Sequence, residues 1–341
     1  MKKNIMFNKI VIFAPSFQLQ LLEREIEKRS YRIQNPGDDF NLLRKIKRKI
    51  FQSPHTHSYI FEGFYNASKY LGISTFWIDN QNNLEAIADS KTLIICEGSF
   101  LPDFNMKSNS KFVIHSIPDN LDNYLELSKS KKCLHLEIFK NEALNHLKIG
   151  DLSYFDNHNF TLYQPWATNL LPNQININEY FPKAENKFSY YIGMLYEEGV
   201  KKARDYNKYL KRSKKKTKIK CITGASHKTS QTLTEKSSIC LDIRGDVHLN
   251  SGYVPCRIFK TLSYGREIYV NSRYIKKYLN HIPSVKFFNN GESLQNQYEQ
   301  ITSNQNYQNK EALEKRLYTL EFIKNNHTYV NRLKNIFKVF Q

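Results

Sequence analysis

The segment from Gly252 to Gly265 (GYVPCRIFKTLSYG) has residue types and a spacing that suit phosphate binding. Pro255 predicts the start of a helix, where free backbone N–H groups and the positive end of the helix dipole face a bound anion. Arg257 falls in the first turn and can pair with phosphate oxygens. Gly265 predicts the end of that helix, before the apolar strand EIYVN. Ordinary loop–helix–strand connections show the same punctuation, so a phosphate site and a plain connection are both open at this point.

Other patterns that could carry chemistry are weak or missing. His55 and His57 are two positions apart, but Pro54 indicates a loop, and no third ligand has a suitable spacing for a metal. The five cysteines are widely spaced without a CxxC pair, which favours small buried hydrophobic side chains over a disulfide framework or a zinc site. Walker A, GxGxxG and GxSxG motifs are absent, so nucleotide hydrolysis, nicotinamide chemistry and hydrolase chemistry lack support. We therefore expect chemistry without a metal or a cofactor.

Short apolar runs alternate with helical patterns in the first half of the chain. Strands are predicted at residues 9–14, 75–79, 92–96, 112–115 and 160–164, and a helix over residues 59–71. Continuous apolar sequences such as TLIIC and FVIH are typical of strands buried on both faces of a parallel sheet. Strands that alternate with helices predict a parallel sheet with right-handed crossovers.

An aperiodic stretch with three prolines interrupts this alternation at residues 165–187. After it, strands are predicted at residues 188–195, 218–223, 238–243 and 268–271, and helices at 197–212, 258–264 and from 311 to the end. The sequence thus predicts two α/β units joined by an irregular hinge. Ligands of such sheets bind outside the carboxyl ends of the strands, so the residues that follow each strand, and the cleft between the units, are the expected site.

Composition restricts the class of protein. The 341 residues are 40% hydrophobic and 13% aromatic, so the chain can bury real cores. No apolar run approaches the ~20 residues that a membrane span needs. The apolar start at residues 10–14 is too short for a signal peptide, so we expect a soluble cytoplasmic protein.

The charge is strongly positive and uneven. Lys and Arg total 51 against 32 Asp and Glu, a formal net charge of +19. Lys201–Lys220 contains eleven Lys and Arg and one Asp, and Leu42–Phe51 (LLRKIKRKIF) has the pattern of a basic amphipathic helix. Such segments form solvated faces, bind anionic membranes or anionic substrates, or bind nucleic acid. No recognisable nucleic-acid module accompanies the charge, so a specific nucleic-acid partner is not expected.

The pattern formed by Pro255, Arg257, Phe259 and Gly265 resembles the nucleotide-binding segment of GT-B glycosyltransferases. The segments FEGFYNASKYLG, LIICEG and LYQPWATNLLP also look like those of transferases associated with bacterial surface polysaccharides. The resemblance implies an α/β fold of two Rossmann-like domains that face a cleft, with a C-terminal helix that crosses back. The implied boundaries are 1–170 for the acceptor-side domain, 171–187 for the hinge, 188–318 for the nucleotide-sugar-binding domain, and 319–341 for the helix that packs toward the first domain.

On this resemblance, the second domain would bind the donor. Arg257 and Arg244 would neutralise the diphosphate, Gly193 would allow close backbone approach, and Tyr253 would stack on the base. Lys260 stands where many families have a glutamate that holds the donor ribose. The complete donor-binding set is Gly193, Thr223, Gly224, Arg244, Tyr253, Pro255, Arg257 and Lys260. A turn or surface role is the alternative for each of them.

An inverting transferase needs a general base from the first domain to deprotonate the acceptor hydroxyl. Glu97 directly follows the apolar run LIIC, so its carboxylate should emerge at the cleft rim. Glu62 is predicted in the first turn of a helix, where a carboxylate also favours the helix dipole. His115 follows the strand residues FVI, and the alternative there is a hydrogen-bonded core histidine. Glu97 is the first choice among the three.

The resemblance therefore implies an enzyme that moves a sugar, without a metal, from a nucleotide-sugar donor to a glycan or lipid-linked saccharide in surface polysaccharide synthesis. Its basic segments would hold it peripherally on the inner face of the cytoplasmic membrane or attract an anionic acceptor. Two alternatives stay open. One is a nucleotide- or sugar-binding protein without turnover, and the other is a basic nucleic-acid-binding protein.

Overall fold

The computed structural model describes residues 6–28, 32–36, 56–115, 129–138, 145–179, 187–193, 195, 197–303 and 310–341. The basic segment Leu42–Phe51 lies outside these residues. The chain divides into two compact units. Unit 1 comprises Met1–Arg24, Ser53–Leu171 and Thr328–Gln341, and unit 2 comprises Glu25–Gln52 and Pro172–His327.

Strands and helices alternate in both units. In chain order they are β1 (Lys9–Phe13), α1 (Ser16–Lys28), β2 (Arg32–Gln34), α2 (Thr56–Tyr70), β3 (Ser74–Ile78), α3 (Gln81–Ile87), β4 (Thr92–Glu97), β5 (Lys111–His115), β6 (Cys133–Glu137), β7 (Tyr154–Asp156), β8 (Thr161–Tyr163), β9 (Phe188–Ile192), α4 (Glu197–Leu210), β10 (Lys218–Thr223), α5 (His227–Lys236), β11 (Cys240–Asp242), α6 (Asp246–Asn250), α7 (Cys256–Ser263), β12 (Ile268–Val270), α8 (Lys276–Leu279), β13 (Val285–Phe287), α9 (Gly291–Ser303), α10 (Lys310–Asn326) and α11 (Tyr329–Phe340). A short 3-10 helix covers Pro172–Gln174.

Unit 1 is built on a seven-stranded sheet in the order β3-β1-β4-β5-β6-β8-β7. Its strand pairs are parallel except for β7, which runs antiparallel to β8 at the edge. The apolar sequences KIVIF, TLIICE and KFVIH are buried along nearly their whole length. Continuous burial is what a parallel sheet covered on both faces requires. The predicted α/β class with a large parallel sheet is confirmed.

Unit 2 contains two three-stranded sheets, β2-β10-β9 and β11-β12-β13. All pairs are parallel except the pair formed by β2 and β10. The sheets meet along β9 and β11, where the Ser238 N–H donates to the Phe188 carbonyl at 2.9 Å. Tyr191 and Leu241 belong to one shared hydrophobic core. The strands therefore continue from β10 through β9 to β11 and β12, as in a Rossmann-like domain.

The C-terminal stretch differs from the single helix predicted from residue 311 to the end. That prediction is wrong because the chain leaves helical geometry at Thr328, which caps α11 with φ −100° and ψ 162°. The Thr328 hydroxyl accepts the Asn331 N–H at 3.4 Å, and the Asn331 side-chain oxygen accepts the Thr328 N–H at 2.9 Å. This reciprocal capping box starts a new helix. Helix α10 belongs to unit 2 and α11 to unit 1, so the C-terminal helix crosses back.

A buried arginine fixes α11 in unit 1. Arg332 is fully buried, and its Nε and Nη1 donate to the carbonyls of Pro165 and Asp151 at 2.6 and 3.0 Å. The neighbouring Asn335 amide donates to the Asp151 carboxylate at 3.0 Å. Burial lowers the pKa of Arg332 to about 10, so the guanidinium is still charged at neutral pH. A buried charge of this kind is tolerated only because its N–H groups have acceptors.

Replacing Arg332 with methionine should destabilise the protein by about 2–4 kcal/mol, because the carbonyls of Pro165 and Asp151 lose their donor inside the unit. Lys334→Met on the exposed side of the same helix is the matched control and should change stability by less than about 0.5 kcal/mol. Urea unfolding of the full chain measures both. Equal stability of the two variants would contradict the anchoring role of Arg332.

Candidate functional site

Polar side chains of unit 2 gather at the carboxyl ends of β9 and β11. Phe188 and Ser238 start side by side, and Arg257 bonds both to the Ile192 carbonyl, where β9 ends, and to Asp242, where β11 ends. The two strands therefore run in the same direction. Strand β10 lies on one side of this pair and β12 on the other, so the chain order reverses between β9 and β11. Open α/β sheets bind ligands at such a switch point.

The centre of this cluster is the carboxylate of Asp242, which is completely buried. Arg244 donates to it from Nε and Nη2 at 3.0 and 2.9 Å, and Arg257 donates from Nη1 at 2.6 Å. The side chains of Arg244 and Arg257 are 14% and 18% exposed. Two guanidiniums against one carboxylate leave one excess positive charge at the strand ends. We refer to these three side chains as the Asp242 cluster.

The two arginines determine the ionisation of the cluster. Burial opposes the charge of Asp242, but Arg244 and Arg257 outweigh it and lower the pKa of this carboxyl below its ordinary value. Burial also opposes the charge of Arg244, and the Asp242 carboxylate outweighs it and raises the Arg244 pKa. The cluster is therefore fully ionised at neutral pH, with a net charge of +1.

Arg257 ties the strands together. Its Nε and Nη2 donate to the Ile192 carbonyl at 3.1 and 2.7 Å, and its Nη1 donates to the Tyr191 hydroxyl at 2.8 Å. The guanidinium lies 3.9 Å from the centre of the Tyr191 ring. With the bond to Asp242, four of its five N–H groups are used inside the protein. Its predicted role as a phosphate ligand stays a prediction, and the structure adds a positioning role that the sequence pattern did not show.

Gly193 lies directly after β9 with φ +121°, a backbone conformation that favours glycine. A Cβ at this position would lie 2.8 Å from Arg257 Nη2. Glycine is thus needed twice, for the turn and for the close approach of the guanidinium. The sequence singled out this glycine for contact with phosphate, whereas the neighbour in the structure is the arginine.

Arg244 is the member of the cluster with the most N–H groups left for a ligand. Its backbone is fixed by Asn271, whose side-chain oxygen accepts the Arg244 N–H at 2.9 Å and whose amide donates to the Arg244 carbonyl at 3.1 Å. The Tyr253 ring lies 5.0 Å from the guanidinium carbon. Among the described residues, the Nη1 atom of Arg244 has no hydrogen-bond partner. Asn271 was missed as a site residue, although its place directly after the strand IYV was a usable signal.

Two further rings border Arg244. Burial raises the pKa of the Tyr253 hydroxyl to about 12, against the opposing effect of Arg244, so this side chain is neutral at pH 7. The His248 ring lies 5.7 Å from that of Tyr253, and burial together with Arg244 lowers the His248 pKa. Neutral rings beside a guanidinium can stack on a base or a sugar without adding charge.

The remaining donor-side candidates lie at varying distances from this cluster. The Gly193 N–H donates to the Ile222 carbonyl at 2.8 Å, which brings the end of β10, with Thr223 and Gly224, beside the glycine. Pro255 caps α7 in extended geometry, as predicted from its place before a helix. Lys260 lies one turn further along α7 and is half-buried, and among the described residues no hydrogen bond or ion pair joins its side chain to the cluster.

The catalytic candidates all lie in unit 1. Glu97 and His115 are paired residues at the ends of β4 and β5, and the Gly98 N–H donates to the His115 carbonyl at 2.9 Å. Glu97 is half-buried. His115 is buried, with Nδ1 3.3 Å from the Leu136 carbonyl and its ring edge-on to Trp166 at 4.6 Å. The structure thus brings these two predicted residues together at one sheet edge.

Glu62 lies on the predicted helix, but not in its first turn. Helix α2 begins at Thr56, so Glu62 is in its second turn and not in the first. The apolar repeat of the sequence begins only at residue 59, after polar residues, so it predicts the helix start three residues too late. Helix α2 packs beside β1, β3 and α11 in unit 1.

The described residues contain no group of three or more His, Cys, Asp and Glu side chains that could hold a metal ion. His55 lies outside the described residues. The cysteines are free thiols, and four of the five are buried, as their apolar sequence neighbours predicted.

Solved structures with similar folds are glycosyltransferases. T4 phage BGT in complex with UDP and Mn²⁺ matches with a TM-score of 0.50 at 10% identity, over 98% of this chain and 99% of that one. A mutant of the same β-glucosyltransferase in complex with UDP-glucose gives a TM-score of 0.51 at 10% identity, over 97% and 98%. TarM gives 0.46 at 12% identity and covers 76% of this chain, which spans 57% of TarM. No family model matches the sequence. No curated protein matches it either.

The chain therefore has the GT-B glycosyltransferase fold, as the sequence resemblance implied. The features that the resemblance implied, two α/β units and a C-terminal helix that returns to unit 1, are both present in this chain.

The Asp242 cluster should be a large contributor to stability. Asp242→Asn leaves two buried guanidiniums without their counter-charge and should cost about 3 kcal/mol at neutral pH. The control is Asp246→Asn, which breaks a partly exposed pair with Lys202 and should cost less than about 1 kcal/mol. The stability that Asp242→Asn loses should be fully present above the pKa of an unfolded aspartate, about 3.9. It should shrink as the pH falls through the lower pKa of Asp242 in the folded protein. Chemical unfolding between pH 3 and 7 measures it, and two variants of equal stability would contradict the assignment.

Proposed function

We propose that the protein is a glycosyltransferase that uses a nucleotide-sugar donor and binds the donor diphosphate at the Asp242 cluster. The observation that carries the proposal is the net positive charge of this cluster at the switch point between β9 and β11. The GT-B fold supports it, and two of the structural neighbours are described with UDP or UDP-glucose bound.

In this proposal Arg244 contacts the diphosphate directly. Its Nη1 is available, its Nε and Nη2 are held by Asp242, and its backbone is fixed by Asn271. A guanidinium that is oriented before the ligand arrives can stabilise the charge that develops on the leaving nucleotide without reorganisation. Arg257 keeps Asp242 and Gly193 in place, and the Tyr253 ring offers a face to the base. The other donor-side candidates, Thr223, Gly224, Pro255 and Lys260, would border the nucleotide.

We further propose that Glu97 is the general base that deprotonates the acceptor hydroxyl. It lies half-buried at the end of β4, beside the paired residue His115. His115 is less suitable as a base, because its ring is buried edge-on to Trp166 and its Nδ1 lies 3.3 Å from the Leu136 carbonyl. Glu62 is the remaining alternative. The proposed acceptor is a glycan or lipid-linked saccharide of a surface polysaccharide, as the sequence likeness implies.

No helix of the described residues is long and apolar enough to cross a membrane. We propose a peripheral association with the cytoplasmic face of a membrane, supported by the basic segment Lys201–Lys220. We also propose transfer without a metal, in which guanidiniums balance the diphosphate charge. Since T4 phage BGT was solved with UDP and Mn²⁺, activity with EDTA and with added Mn²⁺ is the direct test.

Donor binding is tested first by ligand-induced thermal stabilisation with UDP-, GDP-, CMP- and ADP-sugars. A donor at about 100 times its dissociation constant should stabilise the protein by ~2.7 kcal/mol. Arg244→Gln should lower the affinity for that donor about tenfold or more, because a hydrogen bond to a charged group is lost. Arg212→Gln, which removes an exposed arginine elsewhere in unit 2, should bind the donor like the parent protein.

Each variant is compared with its own melting temperature without ligand, so a change in stability is separated from a change in binding. A flat donor panel, or equal losses in both arginine variants, would refute the proposed donor site. Donor binding without turnover against any acceptor would favour the non-catalytic alternative, and stabilisation by DNA alone would favour the nucleic-acid alternative.

The general base is tested with Glu97→Gln. Transfer should fall by about 10²–10⁴ while donor binding is unchanged, because only proton transfer is affected. Glu85→Gln on α3 removes an exposed carboxylate of the same unit and should keep full activity. If Glu97→Gln is active and Glu62→Gln is not, the role belongs to Glu62.

A further inference from the structure

Unit 2 has a second concentration of positive charge, in a groove between α4 and the start of β10. The groove has a volume of about 410 Å³ and is lined by Asn35, Pro36, Arg204, Asn207, Lys211 and Lys218. Three of the six lining residues are cationic and none is acidic. The three cationic residues and Asn207 belong to the basic segment Lys201–Lys220, and we refer to this feature as the basic groove.

The basic groove and the Asp242 cluster lie at opposite ends of the strands of unit 2. Strand β2 runs antiparallel to β10, with Gln34 opposite Cys221, so the residues that follow β2 extend toward the start of β10. Lys218 is the first residue of β10, whereas Gly193 and Asp242 mark the carboxyl ends of β9 and β11. Since β9 and β10 are parallel, the two sites are at opposite ends of these strands. A ligand of the groove is therefore separate from the donor.

The walls of the groove are held by hydrogen bonds. Arg204 Nε donates to the Pro36 carbonyl at 3.2 Å, and the Asn207 side-chain oxygen accepts the Ile219 N–H at 2.7 Å. Lys220 Nζ donates to the Asn35 side-chain oxygen at 2.7 Å. Lys211 and Lys218, in contrast, have no carboxylate partner among the residues that the structure describes. Their ammonium groups, with the remaining N–H groups of Arg204, are left to bind an anion.

We propose that the basic groove binds a phosphate group of an extended polyanion, and that this polyanion is a phosphate-bearing acceptor chain. A concave site with three cations fits a compact anion of high charge better than it fits a flat lipid surface. None of the lining residues is aromatic, so the groove offers no stacking platform for nucleic-acid bases. The acceptor role rests on the proposed glycosyl transfer, whereas phosphate binding at the groove does not.

The test compares two triple variants of the full chain that remove the same charge. Arg204→Gln, Lys211→Gln and Lys218→Gln together empty the groove of cations. Lys214→Gln, Lys215→Gln and Lys216→Gln remove three exposed lysines just outside its lining. In calorimetric titration with inorganic tripolyphosphate at low salt, the groove variant should bind about tenfold more weakly than the parent protein, or weaker still. The control variant should stay within about twofold of the parent protein.

Equal losses in the two variants would overturn the proposal, since attraction would then depend on net charge alone. Absence of tripolyphosphate binding to the parent protein would overturn it as well. The single variant Lys211→Gln, at an exposed position, provides a measurement if the triple variant fails to fold, and it should also bind tripolyphosphate more weakly.

Three further probes identify the source of the phosphate. Long-chain polyphosphate should bind and lose affinity in the groove variant. Vesicles of phosphatidylglycerol and phosphatidylcholine should show no preference between the two triple variants, and single-stranded DNA should bind no more tightly than polyphosphate. Groove-dependent binding of vesicles, or tighter binding of DNA, would overturn the assignment to an acceptor chain. Stabilisation by the nucleotide-sugar, measured in the same variants, should be unchanged, so a failed groove and a failed donor site are distinguishable.

Discussion

The buried carboxylate of Asp242 is the interaction on which the proposed donor site depends. A carboxylate without any exposure would be protonated or excluded from the interior if its charge were not balanced. Arg244 and Arg257 balance it from two different segments, the loop after β11 and the first turn of α7. Both guanidiniums gain a fixed orientation from the same anion. The strand ends, the helix start and the charge of the site are therefore set together, and removal of the carboxylate would affect all three.

The same arrangement separates two tasks that a single arginine could not perform. Arg257 spends nearly all its N–H groups on the Ile192 carbonyl, the Tyr191 hydroxyl and Asp242, so it fixes the geometry of the switch point. Arg244 is held along one edge only, and its other edge is left for a ligand. Because the carboxylate cancels one of the two positive charges, the site has a net charge of +1 without the repulsion of two unpaired guanidiniums, and in our proposal this charge attracts the diphosphate. Net charge at the cluster is thus smaller than the count of arginines suggests.

Much of the fold could be predicted from the sequence, because runs such as KIVIF and TLIICE can only be buried in a sheet covered on both faces. Contacts between segments that are distant in the sequence could not be predicted. The pattern around Pro255 located the helix start but not the direction of the Arg257 side chain, which depends on β9, 65 residues earlier. The break at Thr328 was hidden because the apolar repeat continues on both sides of it, and only the capping box shows it. Asn271 was missed because its role also depends on a contact between distant segments: its two hydrogen bonds to Arg244 join the ends of two different strands.

The placement of charge in unit 2 follows from the parallel sheet. Parallel strands have distinct ends, and only the carboxyl ends meet the helix starts that favour anions. The Asp242 cluster lies at that end of the strands, where the proposed donor site has one net positive charge in a fixed geometry. At the opposite end of the strands, among the residues that the structure describes, the side chains of Arg204, Lys211 and Lys218 supply the cations of the basic groove. Part of the lysine excess of the sequence is therefore concentrated at this groove, which Lys211 and Lys218 line. The basic groove is separate from the proposed chemistry, so an anionic chain bound there would not compete with the donor for Arg244.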